Sequence, residues 1–211
     1  MNRQPKAINK SYVKLLAMTL AGVLILLVVN AQAQTLPEYE AFPQASIGLQ
    51  GGTQGFGLQG SYRVMGEFNV RIGFNTIPNM SIQYNGRELA VDKTSIYALI
   101  DWQPKYGATD FWGSKWFVST GFAYYTSNSV YRQVIGGPSY TIYMAKYRPY
   151  LGTGLGNINL GNKIKLRADF GYFIPLASPT SDIPDKASKV STGLKGLLPG
   201  LNSALTIYYR F

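Results

Sequence analysis

The chain has 211 residues, a formal net charge of +10, no cysteine and no histidine. The length predicts one domain. The lack of cysteine excludes disulfides. The lack of histidine excludes the general base of Ser-His and Cys-His nucleophile systems and removes the commonest metal ligand. We therefore expect a protein that is not an enzyme, with no catalytic, cofactor-binding or metal-binding residues.

The N-terminal segment, residues 1–33, has the pattern of a secretory signal peptide. Basic residues from Arg3 to Lys14 precede an apolar stretch of about 15 residues, and Ala31-Gln-Ala33 is an A-x-A-like cleavage site. A retained membrane anchor is the alternative, but a spanning helix needs about 20 apolar residues. We predict that residues 1–33 are cleaved after they direct the chain through the inner membrane.

Residues 34–43 form an irregular acidic segment with two prolines, which we predict to be a periplasmic N-terminal leader. From residue 44 onwards, apolar and polar residues alternate in segments of about 8 to 12 residues, as expected for tilted membrane strands. We assign residues 44–211 to one β-barrel domain. The predicted strands are residues 44–51, 55–64, 68–76, 93–103, 116–125, 147–156, 163–175 and 201–211.

Two further stretches of the chain also have strand character. The third strand can continue past Pro78 into residues 80–84, and residues 140–145 can add a short strand. The other connections are predicted to be turns or loops, with long ones at residues 126–146 and 176–199. Eight strands joined by hairpins predict an all-β, antiparallel, up-and-down transmembrane barrel, because only a helix or a closed barrel satisfies its backbone in lipid.

The last strand and two inner segments carry a family resemblance. The segments are Tyr209-Arg-Phe211, the hairpin at residues 63–71 and the glycine-rich stretch at residues 147–156. With the signal peptide, they resemble the small outer-membrane β-barrel proteins of Gram-negative bacteria, the OmpX/OmpW-like and porin-like eight-strand superfamily. The resemblance implies a place in the cell outer membrane. It also implies that Tyr209 and Phe211 form the signal read by the barrel-assembly machinery.

The polar faces of the predicted strands would meet inside the barrel. An eight-stranded barrel is just wide enough for side chains to fill it, so we predict a polar network that plugs the lumen. A narrow, anion-leaning conduit is the alternative. The residues assigned to this network are Gln59, Arg63, Arg71, Tyr97, Asp101, Lys165, Arg167, Asp169 and Arg210.

Aromatic residues cluster near the predicted strand ends, where amphipathic rings settle at membrane interfaces. Trp102, Trp112 and Trp116 bracket one turn and are assigned to the periplasmic interface, with a platform that stacks a sugar or another ligand as the alternative. The charged loop at residues 178–195 is either solvated or binds a phosphate of lipopolysaccharide or a host surface.

These patterns favour an outer-membrane barrel with a structural or surface-interaction role and a plugged lumen. The first alternative is a narrow small-solute channel. The second is a soluble lipocalin-like carrier, which would bury the apolar face, and alternation alone does not decide which face is inside. We expect a monomer that contacts outer-membrane lipid and lipopolysaccharide and binds no nucleic acid, with any solute or surface ligand left open.

Overall fold

The computed structural model describes residues 41–84, 87–134, 137–183 and 200–211. The predicted signal peptide (1–33), most of the predicted leader (34–40) and much of the charged loop (184–199) lie outside the described residues. Within the described ranges, no helix is both long and apolar enough to cross a membrane.

The described residues form ten strands and one short helix. The helix begins after Asp110, whose carboxylate accepts a hydrogen bond from the amide of Gly113 at 2.7 Å. The elements in chain order are β1 (Ala45–Gly52), β2 (Gly55–Arg63), β3 (Phe68–Tyr84), β4 (Arg87–Trp102), α1 (Phe111–Lys115), β5 (Trp116–Val134), β6 (Tyr140–Tyr143), β7 (Tyr147–Asn159), β8 (Ile164–Phe173), β9 (Thr180–Ser181) and β10 (Leu201–Arg210).

Eight of these strands close into a ring in the order β1, β2, β3, β4, β5, β7, β8, β10. The closing seam joins β10 to β1, where Tyr209 lies opposite Ile47. Every neighbouring pair is antiparallel. The prediction of a closed, eight-stranded antiparallel barrel is therefore confirmed.

The two ends of the barrel differ. At one end, here named the turn end, β1 begins, β10 finishes, and β2–β3, β4–β5 and β7–β8 are connected. At the opposite, loop end, the β1–β2, β3–β4, β5–β7 and β8–β10 connections are found. Beyond the loop end, β3, β4 and β5 extend past the other strands, and β6 and β9 add to the β5 side of this extension.

The extension corrects two predicted strand ends. The fourth strand begins at residue 87 instead of 93, and the fifth continues to residue 134 instead of 125. On β5 the physical reason is a bulge at Thr126, because Thr94 pairs with Ser127 while Ser95 pairs with Tyr125, so the alternation of β5 changes phase there. The first residues of β4 become strand because they pair with this continuation of β5. The continuation of the third strand to residue 84 and the extra strand after residue 140 are confirmed.

The polar faces of the strands point into the barrel and the apolar faces point outwards. On β1, for example, Leu49 is 68% exposed and its neighbour Gln50 is 6% exposed. A lipocalin-like carrier needs the reverse arrangement, with its apolar face inside. The soluble-carrier alternative is therefore wrong for this chain.

Candidate functional site

Four charged side chains meet inside the barrel near the turn end and form what we name the ion cluster: Arg71, Asp101, Arg167 and Asp169. Arg71 Nη2 lies 3.1 Å from Asp101 Oδ1, and Arg71 Nη1 lies 3.0 Å from Asp169 Oδ1. Arg167 Nη1 lies 2.9 Å from Asp101 Oδ2, and Arg167 Nε lies 2.9 Å from Asp169 Oδ2. Each arginine therefore contacts both carboxylates, and the four formal charges cancel.

The ion cluster crosses the lumen. Arg71 is on β3 and Asp169 is on β8, and these strands are four positions apart in a ring of eight. They consequently face each other across the barrel. The ion pair between Arg71 and Asp169 therefore joins opposite walls of the lumen. All four side chains of the cluster are buried.

Neutral side chains add hydrogen bonds to the ion cluster, although the buried Nε of Arg71 has no protein hydrogen-bond partner. Asn69 Nδ2 and Ser119 Oγ donate to the carboxylate of Asp101 at 2.9 and 2.6 Å. The guanidinium of Arg167 also lies 3.8 Å from the ring centroid of Phe117, within the range of a cation–π contact. Buried charges are tolerated when they are paired and hydrogen-bonded. Asp101 meets both conditions, because its carboxylate contacts two arginines and accepts two further hydrogen bonds.

A second polar layer lies between the ion cluster and the loop end. Tyr97 Oη donates to Gln50 Oε1 at 2.7 Å. Gln54, in the tight turn between β1 and β2, is buried, and its Oε1 accepts from Tyr125 Oη at 3.0 Å and from Lys93 Nζ at 3.3 Å. Arg148 lies over the ring of Tyr125, 5.3 Å from its centroid. This layer is rich in cations, unlike the balanced ion cluster.

Glycines on β7 and β8 make room for an aromatic side chain in the lumen. Gly152 and Gly171 face each other across this strand pair, and a Cβ at either position would overlap the phenol of Tyr150. Tyr150 Oη accepts a hydrogen bond from Asn202 Nδ2 at 3.1 Å. The glycine-rich stretch thus relieves crowding in a narrow barrel.

The turn-end mouth of the lumen holds part of the predicted leader. Ala41 and Phe42 are buried, and the Phe42 ring lies 5.7 Å from that of Phe117. The amide of Ala41 donates to Gln103 Oε1 at 2.9 Å, and Gln103 Nε2 donates to the carbonyl of Ser114 at 2.9 Å. These residues of the leader therefore lie inside the end of the barrel, next to the ion cluster.

The structure brings together some of the predicted lumen residues and separates others. The four members of the ion cluster are in mutual contact, and Gln59 and Tyr97 lie beside them, joined by a 3.1 Å hydrogen bond. Lys165 is buried but bonds to Asn159 instead. Two members stand apart, because Arg63 and Arg210 are half-buried at the turn end.

Several lumen residues were missed in the sequence. Lys93 lies an even number of residues from Tyr97 and Asp101 on β4, so it shares their inward face. Arg148 likewise shares the inward face of Tyr150 on β7. Alternation could have identified both of them. Phe42 and Gln54 lie outside any alternating stretch, and no sequence pattern pointed to their burial.

The three tryptophans are exposed on the outside of the turn end. Trp102 ends β4, Trp112 lies on α1, and Trp116 begins β5. The indole Nε1 of Trp116 donates to Thr153 Oγ1 at 2.7 Å, which fixes the ring against the barrel wall. At the same end, the rings of Tyr209 and Phe211 contact each other with centroids 5.2 Å apart.

No family model and no curated protein matches this chain. Among solved structures, the chain is similar to Acinetobacter baumannii CarO, with 18% identity over 81% of this chain and 98% of that chain, and a TM-score of 0.59. Acinetobacter baumannii CarO2 is 15% identical over 79% of this chain and 98% of that chain, with a TM-score of 0.50. Yersinia pestis Ail, the attachment invasion locus protein, is 12% identical over 82% of this chain and 99% of that chain, with a TM-score of 0.42.

Identities this low establish the fold alone. By fold, the chain is a small eight-stranded β-barrel of the outer-membrane type. The likeness agrees with the resemblance found in the sequence.

Proposed function

We propose that this chain is an integral outer-membrane β-barrel protein with a structural or surface-interaction role and a lumen closed by its own side chains. The apolar outer face supports the membrane location, because a closed barrel with an apolar outside and a polar inside suits lipid. The turn end would face the periplasm, and its exposed tryptophans would lie at that interface. Outer-membrane lipid, lipopolysaccharide and the barrel-assembly machinery are the proposed partners of a monomer.

One observation supports a closed lumen above all. The ion pair between Arg71 and Asp169 joins opposite walls of the barrel, and Asp101 is 0% exposed between the two arginines. A solute would have to break paired, buried charges in order to pass. Phe42 and Phe117 form a second obstruction at the turn-end mouth.

The surface role is supported by the extension at the loop end. There β3, β4 and β5 continue beyond the closed ring and carry β6 and β9 along one edge. With the turn end in the periplasm, this sheet would project from the cell. It would present an ordered surface instead of an opening.

Conductance in planar lipid bilayers tests the closed lumen. We expect the wild-type protein to give no stable unitary current. A charge-balanced variant in which all four residues of the ion cluster become serine and Phe42 becomes alanine should conduct, provided that its gel mobility still shifts on boiling, as expected of a folded barrel. Steady unitary currents from the wild-type protein would overturn the closed lumen.

A narrow small-solute channel is the second candidate, and a specific observation favours it. In the described part of the lumen wall, Asn75 Oδ1, Asn69 Oδ1 and Thr206 Oγ1 are buried without a protein hydrogen-bond partner. Buried polar atoms of this kind generally bind water, and connected waters would form a path. Liposome swelling with amino acids or small sugars would then be faster with the wild-type protein than with empty liposomes.

Membrane insertion has its own test. The protein should stay in the membrane pellet after carbonate extraction and should need detergent to dissolve. Release into the aqueous phase would contradict the barrel's location, whatever the state of its lumen.

A further inference from the structure

A groove crosses the outside of the barrel on the side of β5, β7, β8, β10 and β1. Its cavity volume is about 910 Å³, and it is bordered at the turn end by Lys105, Trp112 and Trp116. We name it the outer groove. It faces away from the lumen, so it is separate from the ion cluster.

The floor of the outer groove is one straight row of paired residues. Trp116 lies opposite Leu155, Leu155 opposite Ala168, Ala168 opposite Leu205, and Leu205 opposite Gly51. At about 4.8 Å per strand, the row spans roughly 19 Å. Because strands in such barrels tilt by about 35–45°, the row rises obliquely by roughly 12 Å, near half of the roughly 25 Å apolar band.

The groove exists because small side chains in this row lie beside large ones. Gly51 and Ala168 present almost no bulk to the outside. Leu49 and Phe170, which are the outward neighbours of Gly51 and Ala168 on their strands, stand out from the wall and are each more than half exposed. An elongated apolar molecule would fill the depression between them.

The turn-end rim adds a positive charge. Lys105 is exposed in the connection between β4 and α1, beside the exposed indole of Trp112. Asp169 is also on the groove strands, but its carboxylate is turned into the lumen, where it pairs with both arginines. The groove therefore combines an apolar floor one leaflet deep with an ammonium group at the interface.

We propose that the outer groove binds an anionic glycerophospholipid from the leaflet at the turn end. One acyl chain lies along the row from Trp116 to Gly51, and the phosphate meets Lys105. This inference rests on the membrane location proposed above. It adds a defined lipid site to a surface that would otherwise exchange lipids freely.

Two matched pairs of variants test the site. Gly51→Leu fills the far end of the groove, whereas Gly60→Leu adds the same bulk to β2, outside the groove; a Cβ meets no close contact at either position. Lys105→Ala removes the rim charge, whereas Lys163→Ala removes a turn-end lysine that lies over Tyr209. The readout is the retention of phosphatidylglycerol by the detergent-purified barrel, measured by native mass spectrometry.

We expect the wild-type protein and both controls to retain one phosphatidylglycerol. Gly51→Leu and Lys105→Ala should each reduce the retained fraction at least fivefold, and phosphatidylethanolamine should compete poorly. Equal retention by Gly51→Leu and Gly60→Leu would overturn the site, as would a wild-type dimer with no lipid, which would assign the groove to a second copy. If carbonate extracts the wild-type protein, the membrane location itself has failed, and this result is distinct from an unoccupied groove.

Discussion

Strands β3, β4 and β5 each have two regions, a wall segment within the closed ring and an extension beyond it. Their outward side chains differ. In the wall they are large and apolar, such as Ile72, Phe74 and Ile96. At the border, Thr76 Oγ1 and Thr94 Oγ1 are hydrogen-bonded at 3.1 Å, and Thr126 Oγ1 donates to the carbonyl of Thr94 at 3.3 Å.

This difference shows that strand pairing and the apolar character of the outer face are set separately. The backbone ladder from β3 to β5 continues past the threonines, through a bulge beside Thr126. The apolar outer face does not continue with it, because Asp92, Ser129 and Gln133 occupy outward positions of β4 and β5 beyond the bulge. The threonine row therefore marks the limit of the apolar outer face on this side of the barrel.

The largest expected effect lies inside the wall. Asp101→Asn should lower the free energy of unfolding by about 3–5 kcal/mol, because Arg71 and Arg167 would lose a shared buried carboxylate. Asp92→Asn, in the extension, is the control and should change it by less than about 0.5 kcal/mol. Denaturant titration in micelles measures both values, and similar losses from the two variants would contradict the comparison.

A charge on the outside tests the border directly. Ile72→Lys should cost about 2–4 kcal/mol because it places an ammonium group in the apolar band. Gln133→Lys, at an exposed position on the outward face of the extension, should cost almost nothing. Unfolding titrations in lipid vesicles give both values. An equal penalty at the two positions would mean that lipid also covers the extension.

A smaller effect is expected where a glycine makes room for an aromatic ring. Gly152→Ala should destabilise the barrel by about 1–3 kcal/mol, because the added methyl group overlaps the Tyr150 phenol. Gly60→Ala, where the space is open, is the matched control. Thermal unfolding followed by tyrosine fluorescence compares them, and a neutral Gly152→Ala would show that the ring moves aside easily.

The smallest effect on stability is expected at the end of β10. Tyr209 and Phe211 are 40% and 73% exposed, so replacing both with alanine should barely change unfolding of the finished barrel. The amount of assembled protein in the outer membrane should nevertheless fall severalfold, because the proposed assembly signal is removed. Tyr62→Ala, on the exposed face of β2, is the control. Normal levels of the double variant would refute this role.

Period-two alternation separated a polar from an apolar face on most wall strands, and all four members of the ion cluster lie on the polar faces that the proposed barrel turns inwards. It could not predict their partners, because the contact from Arg71 to Asp169 exists only once the ring has closed. It also misplaced strand ends where the bulge near Thr126 shifts the phase. The burial of Phe42 was missed because a packed segment without alternation has no periodic signal.

The seam between β1 and β10 has a kinetic consequence. Its residue pairs run from Ser46–Arg210 to Gly52–Ala204, so partners are separated by almost the whole barrel domain. A hairpin pairs two strands that are adjacent in the sequence. The seam instead pairs strands that are far apart in the sequence, so its formation costs more loop-closure entropy and is slower. We expect the seam to form last. Until it does, two unpaired strand edges are open to other chains, and the time spent in that state should govern how much protein aggregates before insertion.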